Sequence, residues 1–285
     1  VPLVIATESD LIAACVAAKH ATAECVTAIV GKVDEHSGRL AGSGSFLALR
    51  GETFLVTAEH VITEGGEKYE ELRRRGPGGA AIRIGYCATA PNPLDLAVAH
   101  VGNDASIRPA PLHLLATSST SVSEEHLFVQ GFPGKESRFT AFLDAVLSDS
   151  KPYLTYTCDS AWPEFDPEIH FAIEYPSPDQ LQIDERGRRV PLPPADGVSG
   201  SLVWALGSDV GAGWSFASAR IVGVAHRWSP LGTPSLIVTR IESVREFLLK
   251  AIRERRAYEL WSNRGRPEGD ALTDWVAAER EIRSL

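Results

Sequence analysis

The sequence predicts an all-β fold, a sandwich or a pair of barrels, with helices at both ends. Three observations predict it. From about Val26 to Thr239 the chain is a series of about a dozen short apolar or alternating runs broken by Gly, Pro, Asp and Ser, the pattern of strands joined by tight turns. The polar stretch Ala116-Thr117-Ser118-Ser119-Thr120-Ser121 separates them into an earlier and a later group. Outside that span the apolar spacing changes from two to three and four, the period of a helix.

Taken in order, residues 8 to 25 carry Leu11, Ile12, Cys15, Ala18 and Ala21 at helical spacing after the capping residues Ser9 and Asp10, so segment 1–25 is expected to hold a short helix. Strands are expected at 27–33, 44–49, 53–57, 81–86, 94–101 and 127–130. A second set is expected at 139–147, 169–174, 181–183, 201–206, 220–225 and 236–239. Beyond Thr239, Val244, Phe247, Leu248, Ala251 and Ile252 mark a helix, expected to close the main domain over 241–250. Residues 251–285 are read as a helical hairpin. Leu272, Trp275, Ala278 and Ile282 form the face of its second helix after the turn Gly265-Arg266-Pro267-Glu268-Gly269, opposite Tyr258 and Trp261.

Composition narrows the function classes. At 285 residues, with 44% hydrophobic and 23% charged content, the chain can bury a sizeable core without disulfide support. No apolar run is long enough to span a bilayer, so no membrane partner is expected. The net charge of −9 argues against nucleic acid, which favours a basic face. Arg73-Arg74-Arg75 follows Glu67, Glu70 and Glu71 and reads as a solvated surface turn. Cys15, Cys25, Cys87 and Cys158 lack the paired spacing of a zinc site or a disulfide framework and read as reduced thiols. With no secretory signal visible, a cytoplasmic location is expected.

Three places carry chemistry. Gly197-Val198-Ser199-Gly200-Ser201 sets Ser199 between glycines, which accept the dihedral angles of a sharp turn and can aim several backbone N–H groups to one side. Phe54-Leu55-Val56-Thr57-Ala58-Glu59-His60 places His60 where an apolar strand opens into a loop or short helical turn. Pro93-Leu94-Asp95-Leu96-Ala97-Val98 puts a lone acid in an apolar strand, costly to bury unless something hydrogen-bonds it. An imidazole N–H suits that carboxylate, and the pairing would set the ring's tautomer. Each residue has an ordinary alternative: His60 as a structural or surface histidine, Asp95 as a cap after Asn92-Pro93, Ser199 as a loop serine. Asp166, Glu168 and His170 alternate along one segment but lack a second cluster to complete a metal site, so no metal or other cofactor is expected.

Gly42-Ser43-Gly44-Ser45-Phe46, the stretch ending at His60, Asp95-Leu96-Ala97-Val98, Gly131-Phe132-Pro133-Gly134 and Gly197-Val198-Ser199-Gly200 together resemble the bacterial trypsin-like (chymotrypsin-fold) serine peptidases over residues 26 to 250. The resemblance implies two six-stranded antiparallel β-barrels, one to about 118 and one from about 122, with the active site between them. It implies His60 as general base, Asp95 as its orienting acid, Ser199 as nucleophile, and the N–H groups of Gly197 and Ser199 as oxyanion hole. It further implies that Ala225, His226, Arg227, Trp228 and Pro193 line the substrate site.

Departures from the family pattern matter as well. Val198 replaces the aspartate that zymogen-activated relatives use to bind a new N-terminus, so the Ser199 loop is expected to form without that switch. His226 and Arg227 would favour an acidic side chain in the substrate, or His226 would support Asp95; Trp228 would narrow the pocket; Pro193 offers no charge to hold Lys or Arg. The reaction implied is peptide hydrolysis through an acyl-enzyme. The alternative is a peptide-binding or scaffolding module on the same fold. The tail, with Tyr258-Glu259-Leu260-Trp261 and Trp275-Val276-Ala277-Ala278-Glu279-Arg280-Glu281-Ile282, resembles a short bacterial domain of unknown function, for which the expectation is a protein partner.

Overall fold

The computed structural model describes residues 7–32, 38–64, 67–68, 72–74, 81–82, 84–102, 104, 107–133, 138–140, 145–147, 150–175, 181–183, 189–191, 194–207, 210–211, 214–266, 269 and 271–283. Strands dominate. In the first half they are β1 (Val26–Lys32), β2 (Gly38–Leu49), β3 (Glu52–Thr57), β4 (Thr63–Glu64), β5 (Glu67–Lys68), β6 (Leu72–Arg74), β7 (Ala81–Ile82), β8 (Tyr86–Ala90), β9 (Leu96–His100) and β10 (Ala110–Pro111). In the second half they are β11 (Leu127–Gly131), β12 (Arg138–Thr140), β13 (Ala145–Leu147), β14 (Lys151–Thr155), β15 (Thr157–Cys158), β16 (His170–Glu174), β17 (Leu181–Ile183), β18 (Arg189–Pro191), β19 (Leu202–Ala205), β20 (Arg220–Ser229) and β21 (Ser235–Arg240).

Two antiparallel sheets organise them. The first runs β7-β6-β1-β2-β3-β9-β8, with β10 adding a short parallel pairing to β2; the second runs β14-β11-β19-β20-β21-β16-β15. Side-chain alternation explains why their central strands are apolar throughout. Phe54 and Val56 of β3, with Leu96 and Val98 of β9, face one core, whereas Leu55, Ala97 and Ala99 face another that also holds Ile29, Phe46, Val61 and Ile62. In the second sheet Phe128, Leu202 and Trp204 join the first of these cores, and Leu127, Val129, Val203 and Ala205 face a core of their own with Phe171 and Val238. Each sheet thus has a private core, and a third core is shared between the sheets and the terminal helices.

The N-terminal helix α1 (Glu8–Thr22) is capped by Thr7, earlier than the expected Ser9 or Asp10. Asp10 sits three positions in and closes a capping box on Thr7. Ala14 and Ala18 are buried, and the Thr22 side chain meets Gln130 of β11, whose amide donates to Ser150 Oγ at 2.6 Å.

At the other end, α3 (Ile241–Asn263) is continuous, so the expected closing helix and the first arm of the hairpin are one element. Near its start Glu242 accepts from Ser119 N and Oγ and from Ser118 Oγ, which pins the polar stretch between the two halves. Arg255 reaches the first sheet with a bidentate pair to Glu52 at 2.5 and 2.8 Å. The last helix α4 (Ala271–Arg283) is tied to α3 by Arg264–Asp274 at 2.6 Å and Arg256–Glu281 at 2.8 Å.

Further sequence expectations change. Leu72–Arg74 is a strand rather than a turn, with Arg73 opposite Val30 of β1; Arg75 lies outside the described residues. The run expected at 139–147 is the hairpin β12–β13. β14, not expected, lies at the sheet edge, where Pro152 is tolerated because its missing N–H need not enter a ladder on the open side. No helix among the described residues is long and apolar enough to cross a membrane.

Candidate active site

His60 lies on a single helical turn, α2 (Glu59–Ile62), directly after β3. Val61 and Ile62 are buried and anchor the turn, while the His60 side chain stays 43% exposed. Asp95, 3% exposed, precedes β9 and holds a left-handed backbone with φ of 44°, a region that aspartate visits more readily than most residues. Its two oxygens divide the work: Oδ1 accepts from the His60 backbone N–H at 3.1 Å, and Oδ2 lies 2.7 Å from His60 Nδ1. With Nδ1–H donating, His60 Nε2 is left as an acceptor.

The loop that carries Asp95 is clamped by the second sheet. His170 of β16 meets the Pro93 carbonyl through Nε2 at 2.8 Å, and the Thr239 hydroxyl of β21 donates to the Leu94 carbonyl at 2.8 Å. His170 Nδ1 accepts from the Asp166 N–H at 3.1 Å, so both its nitrogens are engaged and neither is free to ligate a metal. Among the described residues no group of His, Cys, Asp and Glu is placed to hold a metal ion.

Asp95 has a second imidazole neighbour. β20 carries a bulge between Ala225 and Arg227, which pair with Val238 and Ile237, and the extra residue is His226. The bulge turns its ring inward, 1% exposed, with Nδ1 3.4 Å from Asp95 Oδ2 but outside hydrogen-bond geometry. Burial by itself would raise the Asp95 pKa, yet the contacts with His226 and His60 outweigh it and hold the carboxyl well below the usual carboxylate range. The ring of His226 stacks on His170 at 5.3 Å between centroids and meets Trp162 edge-on at 5.9 Å.

Ser199 sits on the loop before β19. Its hydroxyl donates to the His226 carbonyl at 3.0 Å, and no hydrogen bond joins it to His60. The loop is held from both sheets: Ser43 N–H donates to the Ser199 carbonyl at 2.8 Å, Ser43 Oγ to the Gly197 carbonyl at 2.7 Å, and Gly200 N–H to the Ala225 carbonyl at 2.7 Å. Ser43 Oγ also accepts from Phe132 N–H at 2.9 Å, while its carbonyl accepts from Thr57 Oγ1 at 2.6 Å. The buried Val198 donates its N–H to the Ala195 carbonyl at 2.9 Å. By contrast, the N–H groups of Gly197 and Ser199 have no acceptor among the described residues.

Gly200 is required twice over. Its φ is +90°, and an added Cβ would lie 2.0 Å from the Ser43 carbonyl oxygen and 2.2 Å from Thr57 Oγ1. Gly200→Ala should therefore cost upwards of about 3 kcal/mol, since disfavoured backbone alone costs about 1–3 kcal/mol and the clash adds to it. Thermal melting checks this; a midpoint equal to that of the parent would show that the loop yields.

The crystal structure of the Rv3671c protease from M. tuberculosis, in its active form, matches 88% of this chain and 91% of its own length with a TM-score of 0.51 at 16% identity. The chain has a protease-like β fold. Residues 250–284 match a family described as a protein of unknown function, DUF2934. No curated protein matches the chain.

Of the residues singled out in the sequence, the structure joins His60 to Asp95 and brings Ser199 to the His226 carbonyl. Ala225 and His226 are buried, Arg227 is half-buried, Trp228 is 38% exposed, and Pro193 lies outside the described residues. Ser43, Thr57, Thr239 and the Trp162–His170 pair were not anticipated as site residues. The small-residue run Gly42-Ser43-Gly44 was the available signal: a Cβ on Gly42 would meet the Ser199 carbonyl at 2.9 Å.

Proposed function

We propose that this chain is a serine endopeptidase whose two sheets close as barrels, with eight and seven strands among the described residues in place of the six expected of each. The observation that carries the reading is the His60–Asp95 pair at 2.7 Å, with a half-buried serine bonded to the carbonyl of His226, whose ring neighbours Asp95, and two backbone N–H groups on the serine's loop that have no acceptor among the described residues. For the reaction the Ser199 hydroxyl leaves the His226 carbonyl and donates to His60 Nε2. His60 takes the proton as Ser199 Oγ attacks the peptide carbonyl carbon, while Gly197 and Ser199 N–H groups stabilise the oxyanion. The C–N bond then breaks, His60 returns the proton to the leaving amine, and water hydrolyses the acyl-enzyme by the same route. Asp95 holds the imidazole in the required tautomer throughout.

A second reading, peptide binding without turnover, is favoured by the capture of the Ser199 hydroxyl by the His226 carbonyl. A fluorophosphonate probe separates the two. The peptidase reading expects stoichiometric labelling of the native chain that disappears in Ser199→Ala; absence of labelling with retained peptide binding would select the binding module.

A further inference from the structure

Arg227 follows His226 directly, so it stands one residue from the carbonyl that receives the Ser199 hydroxyl. It is half-buried, and burying a guanidinium is costly unless oxygens replace its water. Among the described residues the other arginines in similar or deeper surroundings find such oxygens: Arg240 at Pro167 and Ser119, Arg245 at Ala116, Arg253 at Glu279, Arg255 at Glu52 and Arg256 at Glu281. Arg227 finds none. Its Nε is sealed from solvent without an acceptor, and its guanidinium carbon lies 5.5 Å from the centre of the Trp162 ring. Trp162 is itself fixed by the rings of His170 and His226, so the cation rests on a rigid aromatic face. No acid of the Trp162 loop takes its Nε, which is without an acceptor among the described residues.

We propose that Arg227 is the residue through which this site reads a carboxylate on the substrate, close to the bond that Ser199 attacks. The guanidinium rests on Trp162, one residue along the chain from the carbonyl that receives the Ser199 hydroxyl, with no neutralising oxygen among the described residues, and a bound carboxylate supplies such oxygens. The fork geometry matters as well as the charge, because a guanidinium can engage both carboxylate oxygens whereas an ammonium cannot. The substrates are then peptides with Asp or Glu near the scissile bond, or peptides ending in a free carboxylate there. This inference rests on the peptidase reading for its orientation to the scissile bond, but not for the binding itself.

The test uses amidated peptides that differ only by Glu or Gln, and a matched pair with free and amidated C-termini. Binding is measured by fluorescence anisotropy to the full chain carrying Ser199→Ala, and hydrolysis on the parent. The Glu peptide should bind about tenfold to a hundredfold tighter than the Gln peptide, the scale of a hydrogen bond to a charged group. That preference should vanish in Arg227→Gln, shrink in Arg227→Lys, and turn toward a Lys-containing peptide in Arg227→Glu. A preference confined to the free C-terminus assigns the carboxylate to the chain end. Equal affinity for all peptides, or a Glu preference that survives Arg227→Gln, overturns the proposal. Hydrolysis without charge preference removes this inference and keeps the peptidase; Arg227-dependent binding without hydrolysis does the reverse.

Discussion

His60→Ala should lower turnover by about 10⁶-fold, the loss seen when the base of such a triad is removed. The fold should tolerate the change. The His60 side chain is 43% exposed, and its turn is anchored by Val61 and Ile62 rather than by the imidazole. Asp95 also keeps the His60 backbone N–H, which alanine retains, and the nearby His226 ring. Steady-state hydrolysis of a peptide substrate, read beside a thermal melt, checks both halves. Turnover within tenfold of the parent would remove His60 from the mechanism, and a collapsed melt would mean that the ring carries structure.

Asp95→Asn should cost about 10⁴ in kcat, the scale of replacing a triad carboxylate by an amide. The geometry says why. The His60 backbone N–H will claim the amide oxygen, because it already donates to Oδ1 at 3.1 Å, which turns the amide NH2 toward His60 Nδ1 in place of Oδ2. Nδ1 must then accept, the ring proton moves to Nε2, and Nε2 can no longer take the proton of Ser199. The defect should appear in kcat with KM little changed, since Asp95 is buried.

The same substitution should alter acid stability. A carboxyl held below its usual range contributes stability that is present above the unfolded value of about 3.9 and is lost as pH falls through the lower folded value. The parent should therefore lose stability on acidification in that range, and Asp95→Asn should lose less. Denaturant melts at neutral and acidic pH measure it; identical pH slopes would show that Asp95 gains nothing from its histidines.

Much of this was legible in the chain because strands with both faces covered must be apolar at every position, and a single acid or histidine stands out against them. Asp95 was visible as a charge in Pro93-Leu94-Asp95-Leu96, and His60 as the polar end of Phe54-Leu55-Val56. Less was legible where the signal was edge-like or shared. β14 contains Pro152 and alternates too weakly to register, and β6 hides in a charged run. The expected closing helix and the first hairpin arm are one helix, α3, because a helix passing from one support to another shows no break in its period.

The sequence by itself determined the alternation that builds the sheets, the small residues that permit close approach at Gly42 and Gly200, and the presence of His60, Asp95 and Ser199 on separate segments. Local composition suffices for these, since backbone freedom and burial are properties of each residue with its near neighbours. Only the tertiary structure decided that Ser43 ties the Ser199 loop to both sheets, that a one-residue bulge turns His226 onto Asp95, and that Arg227 rests on Trp162 without an oxygen partner among the described residues. Those facts depend on register and on contacts between distant segments, where a single extra residue reverses which way a side chain points.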